Sequence, residues 1–282
     1  MTKRNSAHEL HSARRAFEAR VGHALSLVNS RAALGDAAVH EIRKDVKQAR
    51  AALRVLRDAV PEAVYRQENA RLRDSARPLA RVRDVRAMLD TIDALLANRK
   101  MRPHRRPLLR LRDALRREHA ELRRHLRGNP LAREIGGSLE ESADRVHRWR
   151  MPAEGWPLAR SGIRRIYRRG RRALEAARKL SSDRALHESR KQVKYLHAAM
   201  QAVAEARPHR LKKAAQRADE VAERLGDDHD LAVLSAEIRR QGADRPLLEA
   251  LRRKRGKLQK KAIRRARRLY ARKPRRFMAR ME

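Results

Sequence analysis

The chain predicts an all-α fold, and three observations lead there. Ala, Leu and Arg dominate, β-branched and aromatic residues are scarce, and apolar positions recur at helical spacing almost throughout. Its 282 residues suffice for one large domain or two of ordinary size. An internal repeat favours two. The stretch VHEIRKDVKQARAALRVLR, Val39 to Arg57, returns as LHESRKQVKYLHAAMQAV, Leu186 to Val203, and both keep His-x-x-Arg-Lys-x-x-Lys.

Pro and Gly clusters punctuate the helices in order. The first helical stretch runs to Leu34-Gly35, and the second carries the motif as far as Val60-Pro61. The next passes Pro78, read as a kink because periodicity continues on both sides, and reaches Met101-Arg102-Pro103. Another leads to Gly128-Asn129-Pro130. PLAREIGGSLEESADRVHRW then reads as a short connecting helix with a weak Gly-Gly middle, before a break across MPAEGWP. Further breaks fall at Arg207-Pro208 and Lys273-Pro274. His40, Arg43, Lys44 and Lys47 precede His187, Arg190, Lys191 and Lys194 by 147 positions. LARVRDVRAML precedes LGDDHDLAVL by 146, which pairs Asp84 with Asp230. So small a change in spacing implies the same helix-loop-helix order in both halves. Residues 1–130 and 157–282 are therefore expected to form two helical bundles, joined by the connecting helix and linker at 131–156.

On a helical wheel Ile42, Val46, Ala49, Leu53, Leu56 and Val60 form one apolar stripe, the core face of the motif helix. His40, Arg43, Lys44, Lys47 and Arg54 gather on another side, with Glu41 and Asp45 on a third. The second copy repeats this, with Leu186, Val193, Leu196, Met200 and Val203 apolar and His187, Arg190, Lys191 and Lys194 basic. Separating acids from bases forgoes the ion pairs that stabilise a helix surface. A single basic row is usually a solvated face. The same row twice, with a histidine at the same end, points to an anionic ligand.

Charge agrees. Lys and Arg number 73 against 34 Asp and Glu, a formal net charge of +39, so an acidic partner or counterions must relieve the repulsion. Without cysteine, disulfides, thiolate metal sites and thiol nucleophiles are excluded. The N-terminus has no continuous apolar stretch of signal-peptide kind, and Glu9 and Glu18 disfavour a mitochondrial transit peptide. Nowhere do about 18 apolar residues run together, so no membrane span is expected and the chain reads as soluble and cytoplasmic.

With these residues in place the chain resembles the CHAD family, the conserved histidine α-helical domain. The resemblance rests on the two His-x-x-Arg helices, on LARVRDVRAML and LGDDHDLAVL, and on RRARRLYARKPRRF near the C-terminus. The chain departs from it at Gln48, where a basic residue is frequent, and at His197 and Ala198, where Arg and an aromatic are common. The resemblance implies two pseudo-symmetric four-helix bundles meeting around a basic groove or channel. It also implies binding of inorganic polyphosphate, with His40, Arg43, Lys44, Lys47, Arg50, Arg54, His187, Arg190, Lys191 and Lys194 as contacts. Association with polyphosphate granules is compatible with such binding.

Other readings weigh less. Arg165, Arg168, Arg169 and Arg172 share a helical side, as do Lys257, Lys260, Lys261, Arg264 and Arg268, and both rows suit a solvated face as well as a ligand. Asp227, Asp228, His229 and Asp230 invite a metal, but Asp230 aligns with Asp84, which suits an N-cap or a buried partner to Arg. His8 and His11 lack zinc-helix spacing, and His119 and His125 do not face together, so no metal or other cofactor is expected. No Walker loop, nucleophile elbow or Glu-x-Glu-x-Lys pattern is present, and neither motif histidine has an evident carboxylate orienter, so catalysis is not expected. The rival is nonspecific nucleic-acid binding. With 3% aromatics, and Trp149, Trp156, Tyr65 and Tyr167 scattered, there is no stacking platform for single strands.

Overall fold

The computed structural model describes residues 3–30, 34–126, 130–150, 156–180, 182–204, 208–242 and 244–281. Among them the protein is all-α, with no strand. In chain order the helices are α1 (Lys3–Val28), α2 (Asp36–Val55), α3 (Glu62–Ser75), α4 (Ala80–Leu96), α5 (Arg105–Leu126) and α6 (Pro130–His147). They continue as α7 (Trp156–Leu180), α8 (Asp183–Ala202), α9 (Pro208–Arg240), α10 (Arg245–Leu269) and α11 (Pro274–Ala279). Short 3-10 turns at Leu56–Ala59 and Arg99–His104 extend α2 and lead into α5. The breaks expected at Gly128-Asn129, at Arg207 and over residues 151–155 lie outside the described residues.

Two helix starts follow side-chain capping. Ser182 caps α8 by accepting a bond from the Ala185 N–H at 3.3 Å, and Asp244 caps α10 through the Leu247 N–H at 2.8 Å. Pro78 corrects the sequence reading: it lies in a break, not in a kinked helix. α3 ends at Ser75 and α4 starts at Ala80, with the intervening turn closed by short-range bonds from Arg77 N–H to Asp74 and from Ala80 N–H to Arg77. Proline has no N–H for the helical ladder and crowds the preceding turn. The corresponding position of the second half is Arg224, and α9 runs unbroken for 33 residues through Leu225–Leu234. The expected helix-loop-helix order therefore holds in the first half alone, and Asp230 stands mid-helix, where it caps nothing.

Three apolar clusters hold the helices together. Phe17, Val21, Ile42, Val46, Leu53, Leu72 and Leu139 belong to one built from α1, α2, α3 and α6. Leu186, Val193, Leu196 and Met200 join Ile163, Tyr167, Leu225, Ala266 and Phe277 in a second built from α7, α8, α9, α10 and α11, which also takes Val55 from the end of α2 and Leu56 from its 3-10 extension. A third joins Leu89, Ile92, Leu108 and Leu115 of α4 and α5 to Leu231, Leu234, Leu247 and Leu251 of α9 and α10. Both predicted apolar stripes thus face core, and α2 packs directly on α8. At Gly162 an added Cβ would lie 2.7 Å from the Val55 carbonyl oxygen, so glycine lets α7 approach the end of α2.

Asp45, placed with Glu41 on a third side of the motif helix, does not share the exposure of Glu41. It is fully buried between α1 and α2, where it meets His23 Nδ1 at 2.6 Å and accepts a hydrogen bond from Arg20 at 3.3 Å. Position 45 falls beside the apolar stripe, so a paired carboxylate there ties two helices together.

Candidate anion-binding site

Packing of α2 on α8 brings the two basic motifs together. Lys47 and Lys194 are open to solvent, yet each is hemmed in by protein and by other cations. Burial, then Arg43, Lys194, Arg190 and Arg83, lower the Lys47 pKa to about 8. Burial, then Arg190 and Arg83, bring Lys194 to about 8 as well, against a partial offset from Asp230 and Asp219. Water reaches both side chains although protein packs closely around them. Near neutral pH both carry charge at a cost that an anion would remove.

Arg43 and Arg190 flank these lysines. Arg43 donates to the Ala76 carbonyl at 3.0 Å, and burial lowers its pKa, with Asp84 opposing. Burial likewise lowers that of Arg190, with Asp230 opposing. Asp84 and Asp230 thus act on these arginines through charge, but Asp84 is exposed and Asp230 only half-buried, so neither is the buried partner considered from the sequence. Reciprocally, burial raises the Asp230 pKa against Arg190, Lys194 and Arg83. Nε of Arg43, Nε of Arg190 and one Nη of Arg83 are buried and have no hydrogen-bond partner. Unmade guanidinium bonds in a dry setting are costly, and phosphate oxygens would complete them.

Arg83, a basic residue beside Asp84, is absent from the contacts expected from the sequence. It donates from Nε to His40 Nδ1 at 2.9 Å and acts electrostatically on Arg43, Lys47, Arg190 and Lys194. The available signal was its alignment with His229 in the second half. His229 occupies the matching contact, with its Nδ1 3.3 Å from His187 Nδ1 and the ring centroids 4.6 Å apart. Because Arg83 donates to it, His40 Nδ1 is an acceptor, so the ring is neutral with its proton on Nε2. Burial first and Arg83 next lower the His40 pKa. Burial and Arg190 lower that of His187, and burial with Arg190, His187 and Lys194 brings His229 to about 4.

The remaining candidates sit around this cluster. Lys44 pairs with Glu41 at 2.8 Å and Lys191 with Glu188 at 2.5 Å, so acids accompany the basic rows that the sequence reading held free of them. Both pairs are spaced three residues apart. Arg50 donates to Asn69 at 3.1 Å, and the Arg54 guanidinium lies 3.8 Å from the Tyr195 ring centroid on α8. A cleft of about 450 Å³ opens beside α2, lined by Arg43, Val46, Lys47, Arg50, Arg73, Asp74, Ala76 and Arg77.

The acidic run of α9 has a structural task. Asp228 is buried and accepts from Arg255 at 3.0 Å and from Gln259 at 2.9 Å, while Arg255 also pairs with Asp183. Among the described residues no group of three or more His, Asp or Glu side chains is placed to hold a metal ion. Among them, too, no helix is long and apolar enough to cross a membrane.

Comparison with known proteins adds to this geometry. The family model described as the CHAD domain matches residues 11–239. Among solved structures, the crystal structure of the CHAD domain from the plant Ricinus communis is similar, with a TM-score of 0.55 and 17% sequence identity. The alignment covers 92% of this chain and 91% of that one, and at this identity it speaks for the fold. No curated protein matches the chain significantly.

Proposed function

Because the chain belongs to the CHAD domain family, we propose that it binds inorganic polyphosphate noncovalently at the junction of α2 and α8. The observation that carries this reading is the convergence of Arg43, Lys47, Arg190, Lys194 and Arg83, where burial first and neighbouring cations second lower both lysines to about 8 and where buried guanidinium nitrogens lack partners. A flexible chain with about one charge per phosphate can thread a narrow basic surface, releasing counterions as it does so. Arg43, Arg190 and Arg83 would supply directed donors, and Lys47 and Lys194 mobile point charges. His40 and His187 stand at the margin, and Arg50 and Arg54 continue the α2 row.

In this proposal the halves are duplicated units around a basic channel, and the protein is cytoplasmic and joins polyphosphate granules. No covalent step is assigned to it. Incubation with polyphosphate and a divalent cation should leave chain length unchanged and produce no phosphohistidine at His40 or His187.

Nonspecific nucleic-acid binding is the competing outcome, since any phosphate polymer is attracted by so basic a chain. The decisive assay is competition between long-chain polyphosphate and duplex DNA at physiological salt. Preference for polyphosphate supports the proposal, and equal affinity would sink it.

A further inference from the structure

Resting on the polyphosphate reading, we infer that the ligand leaves the central cluster in one direction only, along α2 towards Arg57 and Arg169, and that this track selects for long chains. Arg43, Lys47, Arg50, Arg54 and Arg57 follow one another by four- and three-residue steps, which places them along one side of α2 and its 3-10 extension. Fourteen residues of helix span about 21 Å.

The matching positions on α8 do not continue the row. Shifted by 147, Arg50, Arg54 and Arg57 become His197, Gln201 and Ala204. His197 Nδ1 lies 3.0 Å from the Ala215 carbonyl oxygen and 3.7 Å from Asp219, the acid that also acts on Lys194. An anion extending along α8 would meet a carboxylate and no further arginine of this row. Along α2 it would meet Arg50, Arg54 and Arg57 in succession, with Asp74 and Glu62 beside the row as the ion-pair partners of Arg73 and Arg57.

Neighbouring elements widen that side. Arg73 of α3 shares the 450 Å³ cleft with Arg43, Lys47 and Arg50. Farther on, Arg54 is held over the Tyr195 ring, and Arg57 lies 5.1 Å from the Tyr65 ring centroid. Glu62 takes up Arg57 through two hydrogen bonds, of 2.7 and 2.6 Å. Arg169 of α7, in contrast, is exposed, has no ion-pair partner among the described residues, and is repelled by Arg57, Arg165 and Arg54. Acids pair with several of these arginines, Asp74 with Arg73 and Asp58 with Arg165, whereas Arg169 has none among the described residues where the α2 row ends. Arg169 is therefore assigned as the terminal phosphate contact and Arg73, which shares the cleft, as a contact along the way.

The test compares tripolyphosphate with long-chain polyphosphate by titration calorimetry on the intact protein, its Arg73→Gln/Arg169→Gln variant and an Arg275→Gln/Arg276→Gln control. Both substituted arginines of the track variant are exposed, so folding should be unaffected, and circular dichroism checks this. Long chains should bind the intact protein more tightly than tripolyphosphate. The track variant should lose about tenfold in long-chain affinity and about two units of salt slope, while its affinity for tripolyphosphate stays unchanged. The control should behave as the intact protein. If both ligands bind equally well, or the track variant weakens both alike or neither, the track is wrong although the central site stands. If neither ligand binds the intact protein, the polyphosphate reading fails and takes the track with it.

Discussion

Replacing Lys47 and Lys194 together by Arg should retain polyphosphate binding and abolish most of its pH dependence above neutrality. In the free protein both lysines have pKa values lowered to about 8, through burial first and neighbouring cations second. Each is then about nine-tenths protonated at pH 7 and about one-tenth at pH 9. A bound polyanion favours the charged form and raises both values, so binding takes up protons. Affinity is accordingly full below about pH 7 and is lost as pH rises through 8. Two independent lysines would give about a hundredfold loss between pH 7 and pH 9; since both side chains reach solvent, screening reduces this to about tenfold. Arginine stays charged throughout the range, so the double variant should show a nearly flat profile. Titration calorimetry in two buffers of different ionisation enthalpy measures the uptake directly. An unchanged pH profile in the variant, or no proton uptake by the intact protein near pH 8, would refute the assignment of these lysines to the ligand. The histidines contribute little here, because His40 and His187 are shifted below their ordinary value and His229 to about 4.

Arg83→Ala should weaken polyphosphate binding about tenfold and reduce the salt slope by about one, since it removes one guanidinium from the cluster; an undiminished affinity would place Arg83 outside the site. Asp45→Ala should cost about 2 kcal/mol, with a fall of about 4 to 8 °C in melting temperature, because it removes the buried acceptor that His23 and Arg20 share. An unaltered melting curve would show that this contact contributes nothing to joining α1 and α2. Gly170→Ala should destabilise by about 1 to 3 kcal/mol, as the new Cβ would lie 2.1 Å from the Tyr270 hydroxyl oxygen. Chemical denaturation measures it, and no change would mean that Tyr270 moves aside freely.

Helical periodicity made the all-α class and both apolar stripes legible, because Ile42 to Leu56 and Leu186 to Val203 must face a core wherever the chain folds back. What periodicity lacked was partner information. Asp45 reads as one more acid on a charged helix, and only the α1 residues His23 and Arg20, more than twenty positions away, make its burial tolerable. Pro78 showed no loss of periodicity, yet its missing N–H ended a helix that Arg224 lets α9 continue. At the site, Arg43, Lys47, Arg190 and Lys194 were readable from repetition. Arg83 was not, because the second half places a histidine there and the repeat hides that both side chains make the same contact. Arg169 belongs to a row that reads equally well as solvated surface, and only the end of α2 beside it tells otherwise.

The central claim, that the facing motifs of α2 and α8 hold the polyanion, is tested most directly by changing Arg43 and Arg190 together to Ala. Long-chain polyphosphate affinity is measured at several salt concentrations, with an Arg275→Ala/Arg276→Ala control of equal charge and with melting curves to confirm that each variant is folded. The account predicts a loss of about a hundredfold or more and a shallower salt slope for the first pair, against almost none for the second. Equal, small losses in both would mean that polyphosphate is attracted by net charge alone, and would contradict a site at this junction.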